Sequence, residues 1–171
     1  MTTQIKTRLA DKYQLTAHAR EEIDELLSHF PADQKKSALL GALTVVQHEN
    51  NGFLTEEIME AVADYLELPP VWAHEIVSFY SMFFTEPVGR HKVNICTNIS
   101  CWLNGADRMV EHAEKKLGVK LGETTADGRI TLVREEECLA GCCGAPMAVV
   151  DGHYKEHLDI EKLDALLDGL E

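Results

Sequence analysis

The feature that most restricts this chain is a pair of short cysteine spacings held far apart. Cys96 and Cys101 form C-x4-C, and Cys138 and Cys142 form C-x3-C; a fifth cysteine, Cys143, follows directly behind the second pair. Residues so distant along a chain meet only if the fold brings two loops to one end of a packed layer. The opening stretch, "MTTQIKTRLADKYQL", has no apolar core of the kind a secretory signal needs. No apolar run approaches the roughly 20 residues that span a bilayer. A cytoplasmic location is therefore expected, or one peripheral to a membrane complex, with no direct membrane insertion. Structural disulfides are disfavoured in a reducing compartment. The thiols need another purpose, and metal binding or redox chemistry comes first.

Charge narrows the partners. With 29 acidic and 16 basic residues, the 171-residue chain carries a net charge of −13. Such a surface repels phosphate backbones and anionic lipid, so no nucleic acid partner is expected. The excess acid serves solubility, or complements a basic partner surface.

The hydrophobic period changes partway along. Thr16 is placed to cap a helix over "AHAREEIDELLSHF", whose stripe is Ile23, Leu26, Leu27 and Phe30, ended by Pro31. A second stripe runs through Leu39, Leu40, Leu43, Val46 and Gln47. Thr55 caps a third helix, with Ile58, Val62 and Leu66 at i, i+4 and i+8. Pro69-Pro70 starts a fourth, where Trp72, Ile76, Phe79, Tyr80 and Phe83 read as an aromatic face in the bundle core. "TEPVGR" marks a boundary, which predicts a helical domain over 1–88 and a second domain over 89–171. Beyond it "HKVNICT" alternates like a strand. "WLNGADRMVEHAEKKLG" reads as one helix with Leu103, Ala106, Val110, Ala113 and Leu117 on a face, and "DGRITLV" as a turn and strand. "MAVVDGHYK" reads as a hairpin through Asp151-Gly152, and a final helix carries Ile160, Leu163, Leu167 and Leu170. The expected class is α+β, a helical bundle followed by a small α/β layer.

Cys96 then falls at a strand end and Cys101 at a helix start, while Cys138 and Cys142 lie between strands. Four thiolates suit zinc or an iron–sulfur cluster. Neither pair has the tight C-x2-C knuckle common in structural zinc. A [2Fe–2S] rhomb, with two thiolates on each of two separated irons, suits wider loops better. The helix start at Cys101 would offer positive N–H groups to an anionic cluster. Gly141 and Gly144 are expected to allow close backbone approach and unusual φ values. A thioredoxin-type dithiol would want C-x-x-C, which is absent, and a Rieske centre would want paired histidines in another pattern.

At these motifs the chain resembles a known family, the small thioredoxin-like [2Fe–2S] subunit of NADH:quinone oxidoreductase (respiratory complex I) and its relatives in NAD-linked hydrogenases and formate dehydrogenases. The resemblance runs from about residue 20 onward. It rests on "LLGALTVVQHENNGFLTEEIMEAVADYLELP", "EIVSFYSMFF", "PVGRHKVNICTNISCWLNGA", "GETTADGRITLV" and "ECLAGCCGAP". It implies a helical N-terminal domain and a thioredoxin-like domain. It implies one [2Fe–2S] cluster on Cys96, Cys101, Cys138 and Cys142, and a flavin- and NADH-binding partner. There is one departure: relatives read C-L-G-x-C followed by a non-cysteine, whereas here the glycine sits one place later and Cys143 follows.

The chain has no G-x-G-x-x-G or G-x-x-x-x-G-K-[ST], so an electron-transfer subunit, not catalytic alone, is expected. A zinc-stabilised adaptor and a free-standing thiol oxidoreductase are the other readings. Around the cysteines, Trp102 is expected to pack helix against sheet, and Ala145-Pro146 to be the proline, often cis, of a thioredoxin fold. His153 and His157 read as solvated, and Glu135-Glu136-Glu137 as a solvated turn or a negative field beside Cys138. In an extended segment Cys142 and Cys143 would point to opposite sides, leaving Cys143 a buried bystander or reserve thiol.

Overall fold

Thr16 starts the first helix because its hydroxyl oxygen accepts the Ala19 N–H at 2.9 Å, satisfying a donor that a helix start leaves open. The computed structural model describes residues 13–134 and 138–171, so Glu135-Glu136-Glu137 lies outside the described residues. The chain divides between Pro87 and Val88 into two compact units.

In the first unit, α1 (Ala17–Ser28), α2 (Leu39–Glu49), α3 (Glu56–Tyr65) and α4 (Pro70–Phe79) enclose a core that includes Ile23, Leu39, Leu43, Val46, Leu54, Ile58, Val62 and Leu66. Thr55 caps α3 as its position predicts, accepting from the Ile58 N–H at 3.4 Å. Gln47 lies on the buried stripe of α2 but works as a polar bracket. Its Nε2 donates to the Met82 carbonyl at 3.1 Å, and its Oε1 accepts the Phe84 N–H at 2.9 Å.

Two expectations hold only in part here. α1 ends at Ser28, short of Pro31, so Phe30 leaves the stripe and is exposed. The aromatic face around α4 is core only in part: Phe83 is buried and Trp72 and Ile76 pack against the core beside Ala73 and Val77, but Phe79 is 74% exposed and Tyr80 is exposed as well. The helix stops at Phe79, and Tyr80 turns extended (φ −92°, ψ 120°), so Phe83 reaches the core by a different path from its neighbours.

The second unit is built on a four-stranded sheet in the order β2-β1-β3-β4. β1 (His91–Ile95) runs parallel to β2 (Ile130–Val133) and antiparallel to β3 (Ala148–Val150), which pairs with β4 (His153–Lys155). The parallel β1–β2 pair needs a long crossover, supplied by α5 (Ile99–Leu103) and α6 (Ala106–Leu117). Val93, Ile95, Met109, Ala113, Ile130, Leu132, Leu163 and Leu167 form its core, the last two from α7 (Ile160–Asp168). Asp151 and Gly152 both take positive φ (49° and 81°), the conformation an Asp-Gly hairpin turn requires.

The expected single helix from Trp102 is instead two. Gly105, at φ 88°, separates α5 from α6, which throws Leu103 off the buried stripe to 71% exposure. Ile160 is also exposed, at the first turn of α7. Among the described residues, no helix is long and apolar enough to cross a membrane.

Candidate metal centre

β1 delivers the first cysteine. The Cys96 N–H donates to the Met147 carbonyl at 3.0 Å, carrying the β1–β3 pairing one step past Ile95. Asn98 then caps α5, its Oδ1 accepting the Ile99 N–H at 2.9 Å. Cys101 is the third residue of this five-residue helix, within its first turn, since the first intrahelical bond runs from the Trp102 N–H to the Asn98 carbonyl. Cys96 and Cys101 are both buried, and they pack with Ala106 and Met147. Leu139 and Ala145, from the second cysteine loop, close the same apolar cluster. That cluster is what brings the two loops together.

In the second loop the Sγ atoms of Cys138 and Cys142 are 3.5 Å apart. The Cys142 thiol is pushed above its ordinary value, first by its hydrogen bond with Cys138 and then by the charge of that sulfur, with burial and the charge of Cys101 adding to the rise. The Ser100 hydroxyl works in the opposite direction. Because Cys101 packs in one cluster with Leu139 and Ala145, α5 faces the second loop. Clustered thiols resist ionisation together unless positive charge compensates them, and iron supplies that charge. Soft sulfur donors in two pairs against an apolar wall fit a [2Fe–2S] cluster. Among the described residues, no group of three His, Cys, Asp or Glu side chains is arranged to hold a single metal ion.

Several local expectations are corrected. Cys142 and Cys143 sit in a 3₁₀ turn, Cys142–Gly144, not in extended chain, and Cys143 is exposed, not buried, as Cys138 and Cys142 also are. Gly141 is closely approached, but by a side chain: a Cβ there would lie 2.7 Å from the Met147 methyl, which would have to shift. The left-handed backbone of this loop falls on Ala140 (φ 61°), not on a glycine. Trp102 is 56% exposed and does not pack helix to sheet. His153 lies in β4 and His157 beyond it at φ 52°; both are exposed. The Ala145–Pro146 peptide is cis.

Sequence reasoning did not single out Ser100, Met147 or Tyr154. Ser100 could have been found from its place beside Cys101. Tyr154 had no local signal, because its role depends on strand pairing.

A four-stranded mixed sheet with two cysteine loops meeting at one end defines a thioredoxin-like iron–sulfur domain. The thioredoxin-like [2Fe–2S] ferredoxin family matches residues 23–171, and the chain belongs to it. Its cofactor is accordingly one [2Fe–2S] cluster. An NADH-quinone oxidoreductase subunit from Rickettsia felis is 41% identical over 145 residues, covering 85% of this chain and 86% of the relative. The protein of the same name from Rickettsia bellii is 36% identical over 99% of this chain and 98% of its own length. An NADH-quinone oxidoreductase subunit from Rhizobium meliloti is 41% identical over 88% of this chain and 87% of the relative. Among solved structures, an NAD+-reducing [NiFe]-hydrogenase in the air-oxidized state superposes with a TM-score of 0.63 at 26% identity, covering 76% of this chain and 22% of the hydrogenase chain.

Proposed function

We propose that the chain is the electron-carrying subunit of a multi-subunit NADH-oxidising complex of the NADH-quinone oxidoreductase type. Its cluster is held by Cys96, Cys101, Cys138 and Cys142, and it exchanges electrons with a flavin- and NADH-binding subunit. The observation that carries this reading is the apolar cluster in which Cys96, Cys101 and Leu139 meet, since it joins the two cysteine loops at one place. The chain's job is to hold the cluster, shield it on the Met147 side and set its potential.

The partner follows from what the chain lacks and what it exposes. It has no nucleotide-binding glycine motif in its sequence. Around Cys101, α5 leaves Ile99, Trp102 and Leu103 exposed, an apolar collar where a subunit delivering electrons can approach. Relatives spanning nearly the full length carry the quinone-oxidoreductase name, which favours that complex over a hydrogenase.

The test is metal and sulfide analysis of anaerobically purified full chain, with EPR after reduction. Equal iron and acid-labile sulfide at one [2Fe–2S] cluster per chain, with a rhombic signal, is the expected result. Stoichiometric zinc without iron after iron-replete expression would mean a zinc adaptor. Serine at each of the four positions in turn should lose or distort the signal.

A further inference from the structure

The peptide between Leu139 and Ala140 is hydrogen-bonded at both ends. On one side the Ala140 N–H donates to Cys138 Sγ at 3.4 Å, held in that direction by the left-handed backbone at φ 61°. On the other side the Leu139 carbonyl accepts the Tyr154 hydroxyl at 2.8 Å. Tyr154 is on β4, and its height is set by the register that pairs it with Val149. Just beyond it, the His157 N–H donates to the Gly144 carbonyl at 2.7 Å and the Leu158 N–H to the Pro146 carbonyl at 2.9 Å. The backbone after β4 is thereby fastened to the far side of the cysteine loop, and Tyr154 fastens its near side.

From this geometry we propose that Tyr154 is a positioning residue for the cluster, acting on Cys138 through the Leu139–Ala140 peptide. The proposal rests on Cys138 being a cluster ligand. A hydroxyl donating to an amide carbonyl polarises that amide and strengthens the hydrogen bond its N–H makes. An N–H bond to a cluster sulfur favours the more negative, reduced state and raises the reduction potential. Tyr154 therefore holds the potential up without touching sulfur. It also keeps the peptide from turning its N–H away.

The test uses the full chain loaded with its cluster, in anaerobic redox titrations followed by EPR and visible circular dichroism. Tyr154→Phe removes one oxygen from a half-exposed side chain and leaves the ring in place. It should keep wild-type iron content and melting temperature, move the midpoint potential to lower values and alter the EPR spectrum. Site-specific 3-fluorotyrosine at 154, a stronger donor in the same fold, should move the potential upward. A tyrosine that merely packs would leave both potentials at the wild-type value, and that result overturns the relay. Cys138→Ser separates the two layers. If it changes the spectrum while the Tyr154 variants do not, only the relay fails. If it leaves the spectrum unchanged, the ligand reading fails and the relay falls with it.

Discussion

Ala140 directs its N–H at the sulfur of Cys138, two residues back, from a left-handed backbone that L-residues avoid. The loop's glycine stands one place further on, at 141, so the left-handed position carries a Cβ. The Ala140 Cβ costs about 1–2 kcal/mol in that conformation, while a glycine costs about 0.5–1 kcal/mol in chain entropy. Ala140→Gly should leave the hydrogen bond intact and stabilise the chain by up to about 1 kcal/mol. Urea unfolding of the cluster-free chain measures this, and a lower midpoint would contradict it.

The raised Cys142 thiol gives a second prediction. Cys138 is the main cause of the rise, so Cys138→Ala should let Cys142 fall toward its ordinary value of 9.0. More thiolate is then present near neutral pH, and iodoacetamide should label Cys142 faster in the cluster-free variant. Unchanged or slower labelling would show that the two sulfurs do not communicate.

Cys142 and Cys143 are adjacent but not equivalent. Cys142 is 3.5 Å from Cys138, and its thiol responds to Ser100 and Cys101. Cys143→Ser should therefore retain iron and the wild-type EPR signal, whereas Cys142→Ser should lose or distort them. Equal damage from both would mean that the turn can exchange ligands.

In the helical unit, Gln47→Leu would strand the Met82 carbonyl and the Phe84 N–H that its side chain brackets. Leaving partly buried groups unpaired costs about 1–3 kcal/mol. Thermal unfolding should show that loss, although leucine is the more apolar residue on a buried stripe.

Asp164 on α7 is held below its ordinary value of 3.8, first by His112 and then by Lys116, both on α6. A lowered carboxylate contributes stability that is present above 3.8 and lost as pH falls through the folded-state value. Asp164→Asn should lower the melting temperature at neutral pH, and the gap from wild type should close in strong acid. A gap that persists there would assign the effect to packing.

Local chemistry was legible in the sequence. Thr16 and Thr55 cap because a short hydroxyl side chain reaches the open N–H groups of its own helix start. Asp151-Gly152 turns because both residues tolerate positive φ. Periodicity places Gln47 on the buried stripe, where it lies, but misplaces Phe79 and Tyr80, because it records only which positions share a face. It does not say whether a buried position carries a polar bracket, or whether a helix stops at Phe79 before its aromatic stripe is complete.

By itself the sequence determined the spacing of the two cysteine pairs, the helix caps at Thr16 and Thr55, and the Asp151-Gly152 turn. These depend on spacing and on near-neighbour backbone preferences. Only the tertiary structure decided that Leu139 joins Cys96 and Cys101, that Cys142 comes within 3.5 Å of Cys138, and that a tyrosine from β4 grips the cysteine loop. Those relations arise from strand register and from the turn at residues 142–144, which juxtapose groups that no short-range pattern in the chain connects.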